Sequence, residues 1–301
     1  MKISEDYHTP ALLKETLEFL AVKPQGKYID ATLGGGGHSE EIVKRGGLLL
    51  GLDLDPEAIQ HASQRLKKIA CPDLPPPKII QANFSKIAKV AIENGFAEVE
   101  GILFDLGVSS HQLETPSRGF SFNQDSILDM RMNPQDQQVT AKDLVNGLTE
   151  KELAELFWKL GEEKFAKRFA RAICQERLKQ PIQTTNQLAE IILRVAPKRG
   201  RFDRTHPATR VFQALRIAVN DELNSLREAL PATLGLLKKE GRLVILSFHS
   251  LEDGIVKRFF LEKEKEGVLK ILTPKPVGPK KEEIEQNPRA RSAKLRAAKK
   301  I

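Results

Sequence analysis

Over the first third of the chain, short apolar runs alternate with amphipathic stretches. Tyr28-Ile29, Leu48–Leu52 and Ile102–Phe104 are too continuous for one-faced strands and read as buried strands of a parallel sheet, with Lys78–Ala82 as a further strand. The segments between them carry helix signals. Ser39-Glu40-Glu41 reads as a capping serine with acids in the first turn. Asp55-Pro56-Glu57 reads as an N-cap followed by proline at the first helical position, and Ala58, Ala62 and Leu66 share one face. Strand and helix in alternation predict a doubly wound α/β sheet. From about Gln124 the pattern becomes helical. Thr140-Ala-Lys-Asp143, Thr149-Glu-Lys-Glu152 and Thr184-Thr-Asn-Gln187 start helices, the second as a capping box. Leu153, Leu156, Phe157 and Leu160, then Phe165, Phe169, Ala172 and Ile173, recur at helical spacing. Pro197 ends the third of these helices, a long helix is predicted over Val211–Leu230, and strand character returns only at Arg242–Leu246. The expected organisation is a discontinuous core, 1–123 and 211–301, with an inserted helical domain at 124–210. Pro274, Pro276 and Pro279 predict an extended linker before a basic tail, Gln286–Ile301.

The turn after the first strand is the richest segment. Tyr28-Ile29-Asp30-Ala31-Thr32-Leu33 opens into Gly34, Gly35, Gly36 and Gly37, then His38. A strand, a glycine turn and a helix predict a nucleotide-cofactor loop. Asp30 narrows the choice. A carboxylate beside the turn repels a pyrophosphate and favours a cation, and the glycines do not keep the dinucleotide spacing. S-adenosylmethionine carries a sulfonium and an ammonium and no phosphate, and it fits. Asp53 ends the second strand, where a carboxylate suits a ribose diol. Phe84 follows the third strand, where it either lines the adenine ring or belongs to the core. Asp105 ends the fourth. The carboxyl ends of adjacent parallel strands face one crevice, so Asp30, Asp53 and Asp105 are expected to rim one pocket with Gly34.

The net charge of +8 is unevenly spread. Lys164, Lys167, Arg168, Arg171, Arg177 and Lys179 stand against Glu176 alone. Lys198, Arg199, Arg201, Arg204 and Arg210 surround a single acid, Asp203, and the last stretch, with Arg289 and Arg291, has none. Concentrated positive charge is the footprint of phosphate contacts. No apolar run reaches membrane-spanning length and the N-terminus is no signal peptide, so the expected compartment is the cytoplasm. Two distant cysteines, Cys71 and Cys174, argue against a disulfide framework, and the histidines lack metal-ligand spacing.

The segments Asp30–Ser39, Asp53–Pro56, Asp105-Leu-Gly-Val-Ser-Ser110, Arg118-Gly-Phe-Ser-Phe122 and Leu128-Asp-Met-Arg-Met132 run in one order with His206-Pro-Ala-Thr-Arg210, Ser247–Asp253 and Asn287-Pro-Arg-Ala-Arg-Ser292. With His8-Thr9-Pro10 they cover almost the whole chain, which resembles the ribosomal RNA small subunit methyltransferase H (MraW) family. The resemblance implies a Rossmann-like class I methyltransferase sheet with an inserted helical domain. It implies methylation of the exocyclic N4 of a cytidine in the decoding region of small-subunit rRNA, with S-adenosylmethionine as cofactor. It also implies cofactor contacts at Gly36, Gly37, His38, Asp53, Phe84, Asp105 and Gln112.

A cytosine amino nitrogen is a poor nucleophile, because its lone pair is delocalised into the ring. Aligning it is worth about 7–11 kcal/mol, and an acceptor on its N–H bonds favours the pyramidal transition state. Asp105 is the candidate acceptor, with the following turn through Ser109 as an alternative. His249, after the Arg242–Leu246 strand, is a candidate to orient the base or shuttle a proton, against a structural role satisfied by backbone. Phe120, Phe122 and Phe248 are candidate stacking platforms. Arg118, Lys198, Arg199, Arg201, Arg204, Arg210, Arg289 and Arg291 are the candidate RNA contacts, with free rRNA or an assembled small subunit as partner. Two other readings stay open: a methyltransferase for a small molecule or protein, and a non-enzymatic RNA-binding protein on a nucleotide-binding scaffold.

Overall fold

The computed structural model describes residues 9–69, 74–197 and 206–301. The chain forms two compact units. One comprises Met1–Ser109 with Leu223–Ile301, the other Ser110–Glu222. The helical unit is therefore wider at both ends than the expected 124–210.

The first unit is built on one sheet. Its strands are β1 (Lys27–Asp30), β2 (Leu48–Asp53), β3 (Lys78–Gln81), β4 (Val99–Asp105), β5 (Leu237–Ser247), β6 (Leu269–Ile271) and β7 (Lys294–Lys300). Their order is β3-β2-β1-β4-β5-β7-β6. Neighbours among β1 to β5 pair in parallel, and β7 runs antiparallel to both β5 and β6. This is the expected doubly wound sheet. Strand order reverses between β1 and β4, which sets the crevice at their carboxyl ends. Tyr28, Ile29, Leu50, Leu52 and Phe104 are fully buried, as the continuous apolar runs require. β5 starts five residues earlier than the Arg242 expected, passing an irregularity opposite Val99–Gly101.

The C-terminal stretch is no tail. β7 is an interior strand, with Leu295, Ala297 and Ala298 buried. Its charges are bound to structure: Arg296 Nε donates to Asp253 at 2.6 Å, Lys294 lies 3.4 Å from the same carboxylate, and Lys300 Nζ donates to the Leu234 and Leu237 carbonyls. The strand pattern is hidden in sequence because charged residues fill most of its outward positions.

In the second unit, three helices open on full capping boxes: Thr140 with Asp143, Thr149 with Glu152, and Thr184 with Gln187. Leu153, Phe157, Phe169, Ile173, Leu188 and Ile192 form its own core. Phe165 departs from the predicted stripe and stands 43% exposed. The predicted helix Val211–Leu230 is two helices, Thr209–Asn220 and Glu222–Leu236, separated by Asp221 at φ +48°. The first of them packs on Glu150–Gly161. A Cβ at Gly161 would lie 2.5 Å from the Arg210 carbonyl oxygen, so the helices touch backbone to backbone there. That contact makes Thr209–Asn220 part of the helical unit. Among the described residues no helix is long and apolar enough to cross a membrane.

Candidate functional site

Two strand-end acids flank the reversal point. Asp30 ends β1 and is 1% exposed. Ser39 Oγ donates to its Oδ2 at 2.7 Å and Thr32 N to its Oδ1 at 3.2 Å. Ser39 is thus not the predicted helix cap. The helix Gly37–Lys44 is entered through Gly36 at φ +78°, and Ser39 sits inside its first turn holding Asp30. Burial pushes the Asp30 carboxyl above its ordinary value, against the Ser39 hydrogen bond.

Asp105 ends β4, and its backbone N–H donates to Thr32 Oγ1. Its side chain is 12% exposed and Oδ2 lies 3.4 Å from His38 Nδ1. Oδ1 is buried and has no hydrogen-bond partner among the described residues. A buried carboxylate oxygen without a donor costs free energy unless something supplies one. His38 is itself buried, with Nε2 3.1 Å from the Ala11 carbonyl. That oxygen only accepts, so Nε2 carries the proton. Burial disfavours the imidazolium, but the hydrogen bond to Asp105 and the charges of Asp105 and Asp30 outweigh it and raise the His38 pKa.

Asp53 ends β2. Gly34 N donates to its Oδ2 at 2.7 Å and Asp55 N to its Oδ1 at 2.8 Å. A carboxylate has about four lone-pair sites, so two remain for a diol. Burial pushes this carboxyl up to about 6, against both backbone donors. Asp55 caps the next helix by accepting from Glu57 N, with Pro56 at the first position, as predicted.

The glycine turn has two conformationally demanding positions. Gly34 sits at φ +50° and a Cβ there would meet nothing nearer than the Thr32 carbonyl oxygen at 3.9 Å, so it borders open space. Gly36 combines φ +78° with close approach, its Cβ position lying 3.3 Å from Ala62 Cβ. Gly37 packs against Pro10, which also lies near Ala11 and its contact to His38. From behind, His61 Nδ1 lies 3.3 Å from the Gly35 carbonyl and Arg65 pairs with Glu40. The segment Pro10–Leu12 is fixed in turn: Glu283 accepts from Leu12 N at 2.6 Å, and Asn287 donates to the Thr9 carbonyl at 3.1 Å. Sequence reasoning missed Thr32, Ser39, Ala11 and Glu283. Only Ser39, in the turn itself, carried a local signal.

The other candidates divide. Phe84 follows β3 half-buried, edge-on to Phe104 with centroids 5.7 Å apart. Phe248 is half-buried beside Gly107, and Ser109 is half-buried in the same unit. His249 Nε2 lies 3.1 Å from Glu252 Oε1, a buried carboxylate. Glu252 also accepts from Phe248 N and His249 N. In the helical unit, Gln112 is buried in helix Ser110–Glu114. Phe120 is buried, and Phe122 packs on His206 and Phe212. Arg118 is corrected from RNA contact to internal strut. It is 6% exposed and donates to the Arg131 and Met132 carbonyls. Arg210 is exposed, although one guanidinium nitrogen donates to the Glu162 carbonyl. Arg289 and Arg291 are exposed. Lys198, Arg199, Arg201 and Arg204 lie outside the described residues.

The hollow therefore presents three carboxylates, one buried histidine and a glycine turn. Its chemistry suits a ligand with hydroxyls and positive charge. S-adenosylmethionine fits these residues: the spare lone pairs of Asp53 match a ribose diol, and Gly34 leaves room.

A sequence model of the MraW methylase family matches residues 5–301. The ribosomal RNA small subunit methyltransferase H of Carboxydothermus hydrogenoformans is 49% identical over 310 residues, covering 98% of this chain and 98% of that protein. The protein of the same name from Heliobacterium mobile is 45% identical over 316 residues, covering 99% and 100%. A solved structure of an rRNA methylase from Streptococcus thermophilus aligns with 97% of this chain and 98% of its own, at 10% identity and a TM-score of 0.46.

Proposed function

The chain belongs to the MraW methylase family, and from that membership we infer that it methylates small-subunit ribosomal RNA, at the exocyclic N4 of a cytidine in the decoding region. The observation that carries the reading is Asp105 at the reversal point of the sheet, with one oxygen held by His38 and the other buried and, among the described residues, unpartnered.

When bound, S-adenosylmethionine supplies an electrophilic methyl group on a sulfonium. Asp53 and Gly34 would hold its ribose, Phe84 would flank the adenine, and Asp30 would supply negative charge near the sulfonium. Asp105 Oδ1 accepts from the target amino group. That bond favours the pyramidal nitrogen and holds it in line, which is where most of the rate enhancement arises. His38 fixes the Asp105 rotamer by occupying Oδ2. The helical unit is assigned to RNA recognition, with Arg210, Arg289 and Arg291 as exposed cations on the two units. The working compartment is the cytoplasm, where ribosomal subunits are found.

Labelled S-adenosylmethionine tests this. The protein is offered small ribosomal subunits, bare rRNA, DNA and a small-molecule pool side by side, and labelled RNA is digested to locate the methyl group. N4-methylcytidine in one RNA site supports the reading. Label in small molecules or protein alone, or none with tight RNA binding, replaces it with one of the other two readings. Asp105→Asn separates two roles: turnover abolished with cofactor affinity intact marks the amino acceptor, and loss of both marks a cofactor ligand.

A further inference from the structure

The helical unit holds a concavity of about 500 Å³ outside the strand-end hollow, lined by Lys167, Arg168, Arg171, Ala172, Gln175 and Val195. Its cations come from one helix, Ala166–Arg177, at positions that share a face. Lys167 and Arg171 stand about 6 Å apart along the axis, one helical turn. All three cations are exposed. Lys167 and Arg168 make no hydrogen bond or ion pair with any described residue, and Arg171 reaches only a half-exposed Glu150 at 3.4 Å. The acid of this helix is engaged elsewhere: Glu176 pairs with Lys179 and Arg194. Among the described residues no carboxylate lines the concavity. Three like charges sharing a single exposed counter-ion, Glu150, repel one another, and a solvated helix face usually intersperses acids to avoid this.

We propose that this concavity is an RNA-backbone anchor: Lys167, Arg168 and Arg171 bind successive phosphates of the rRNA substrate, with Gln175 as a neutral donor. The inference rests on the RNA methyltransferase reading and adds a place on the helical unit where the nucleic-acid backbone is held. Ala172 and Val195 give a small apolar floor against which sugars pack. Among the described residues no aromatic side chain lines it, so it grips the backbone and reads no base.

The test compares the full-length protein with K167A/R168A/R171A. All three side chains are exposed, so the core stays filled. Circular dichroism and S-adenosylmethionine affinity establish that both proteins are equally folded. Binding of a fluorescein-labelled fragment of small-subunit rRNA is titrated over a range of salt. Each phosphate left without its cation flattens the slope of log affinity against log salt by about 0.7 for single strands, so the triple variant should lose about 2. The same relation gives about fivefold weaker binding per phosphate near 0.1 M salt, read as a raised KM for RNA with kcat retained. K167R/R168K/R171K should restore both. An unchanged slope and KM in a wild-type enzyme that methylates RNA overturns the anchor and leaves the activity standing. A wild-type protein that labels no RNA overturns the activity and the anchor together.

Discussion

His38 Nδ1 lies 3.4 Å from Asp105 Oδ2, while His38 Nε2 faces the Ala11 carbonyl at 3.1 Å, so both ring nitrogens of a buried imidazole meet acceptors. The doubly protonated ring satisfies both at once. One residue thereby joins the glycine turn, the end of β4 and the segment near the N-terminus.

That arrangement makes stability depend on pH in a definite direction. The folded pKa of His38 is raised above its ordinary 6.5. The stability it contributes is fully present below that ordinary value and is lost as pH rises through the folded one. His38→Gln keeps a donor for Ala11 and removes the charge. It should cost about 1–3 kcal/mol in mildly acidic buffer, and the gap from wild type should narrow as pH rises. Urea unfolding at a series of pH values measures it, and a gap that widens with pH contradicts the assignment.

Asp53 gives a second pH dependence, of the opposite sign and in binding. Its carboxyl titrates at about 6. Below that value one acceptor becomes a hydroxyl, so affinity for S-adenosylmethionine should fall as pH drops through it. Asp53→Asn should bind weakly at every pH and show no such step. Calorimetric titration on either side of that pH decides the matter.

The glycines Gly34 and Gly36 should separate binding from stability. Each substitution to alanine places a side chain at positive φ, at about 1–2 kcal/mol. Gly36→Ala also presses on Ala62, so its effect should be mainly on the melting temperature. Gly34→Ala puts its methyl into open space at the hollow, and cofactor affinity should fall beyond what the stability loss explains. An affinity in Gly34→Ala that falls no further than its stability loss explains would remove Gly34 from the site.

Two arginines of the C-terminal stretch, alike in sequence, should behave as opposites. Arg296 is 7% exposed and bound to Asp253, so Arg296→Ala removes the shorter of that carboxylate's two cation contacts, leaves only Lys294 at 3.4 Å, and should cost about 1.5–3 kcal/mol. Arg291 is exposed, and Arg291→Ala should leave stability within about 0.5 kcal/mol while flattening the salt dependence of RNA binding. Thermal unfolding and filter binding on both variants check the pair.

What the sequence determined by itself is local. The Asp55–Pro56 cap, the Thr149 capping box, the buried strands and the acids ending β1, β2 and β4 each depend on a few neighbouring residues, and each stands where the pattern placed it. Tertiary structure decided what depends on distant partners. Lys294–Lys300 becomes an interior strand only because β5, β6 and Asp253 absorb its backbone bonds and its charge. Arg118 turns inward because the Arg131 and Met132 carbonyls face it. Ser39 is no cap because the helix starts at Gly37, and inside its first turn the hydroxyl meets the second oxygen of Asp30, whose first is already held by Thr32 N. A polar side chain chooses its role by which unpaired group it meets on burial, and that meeting is set by the fold and not by the neighbouring letters.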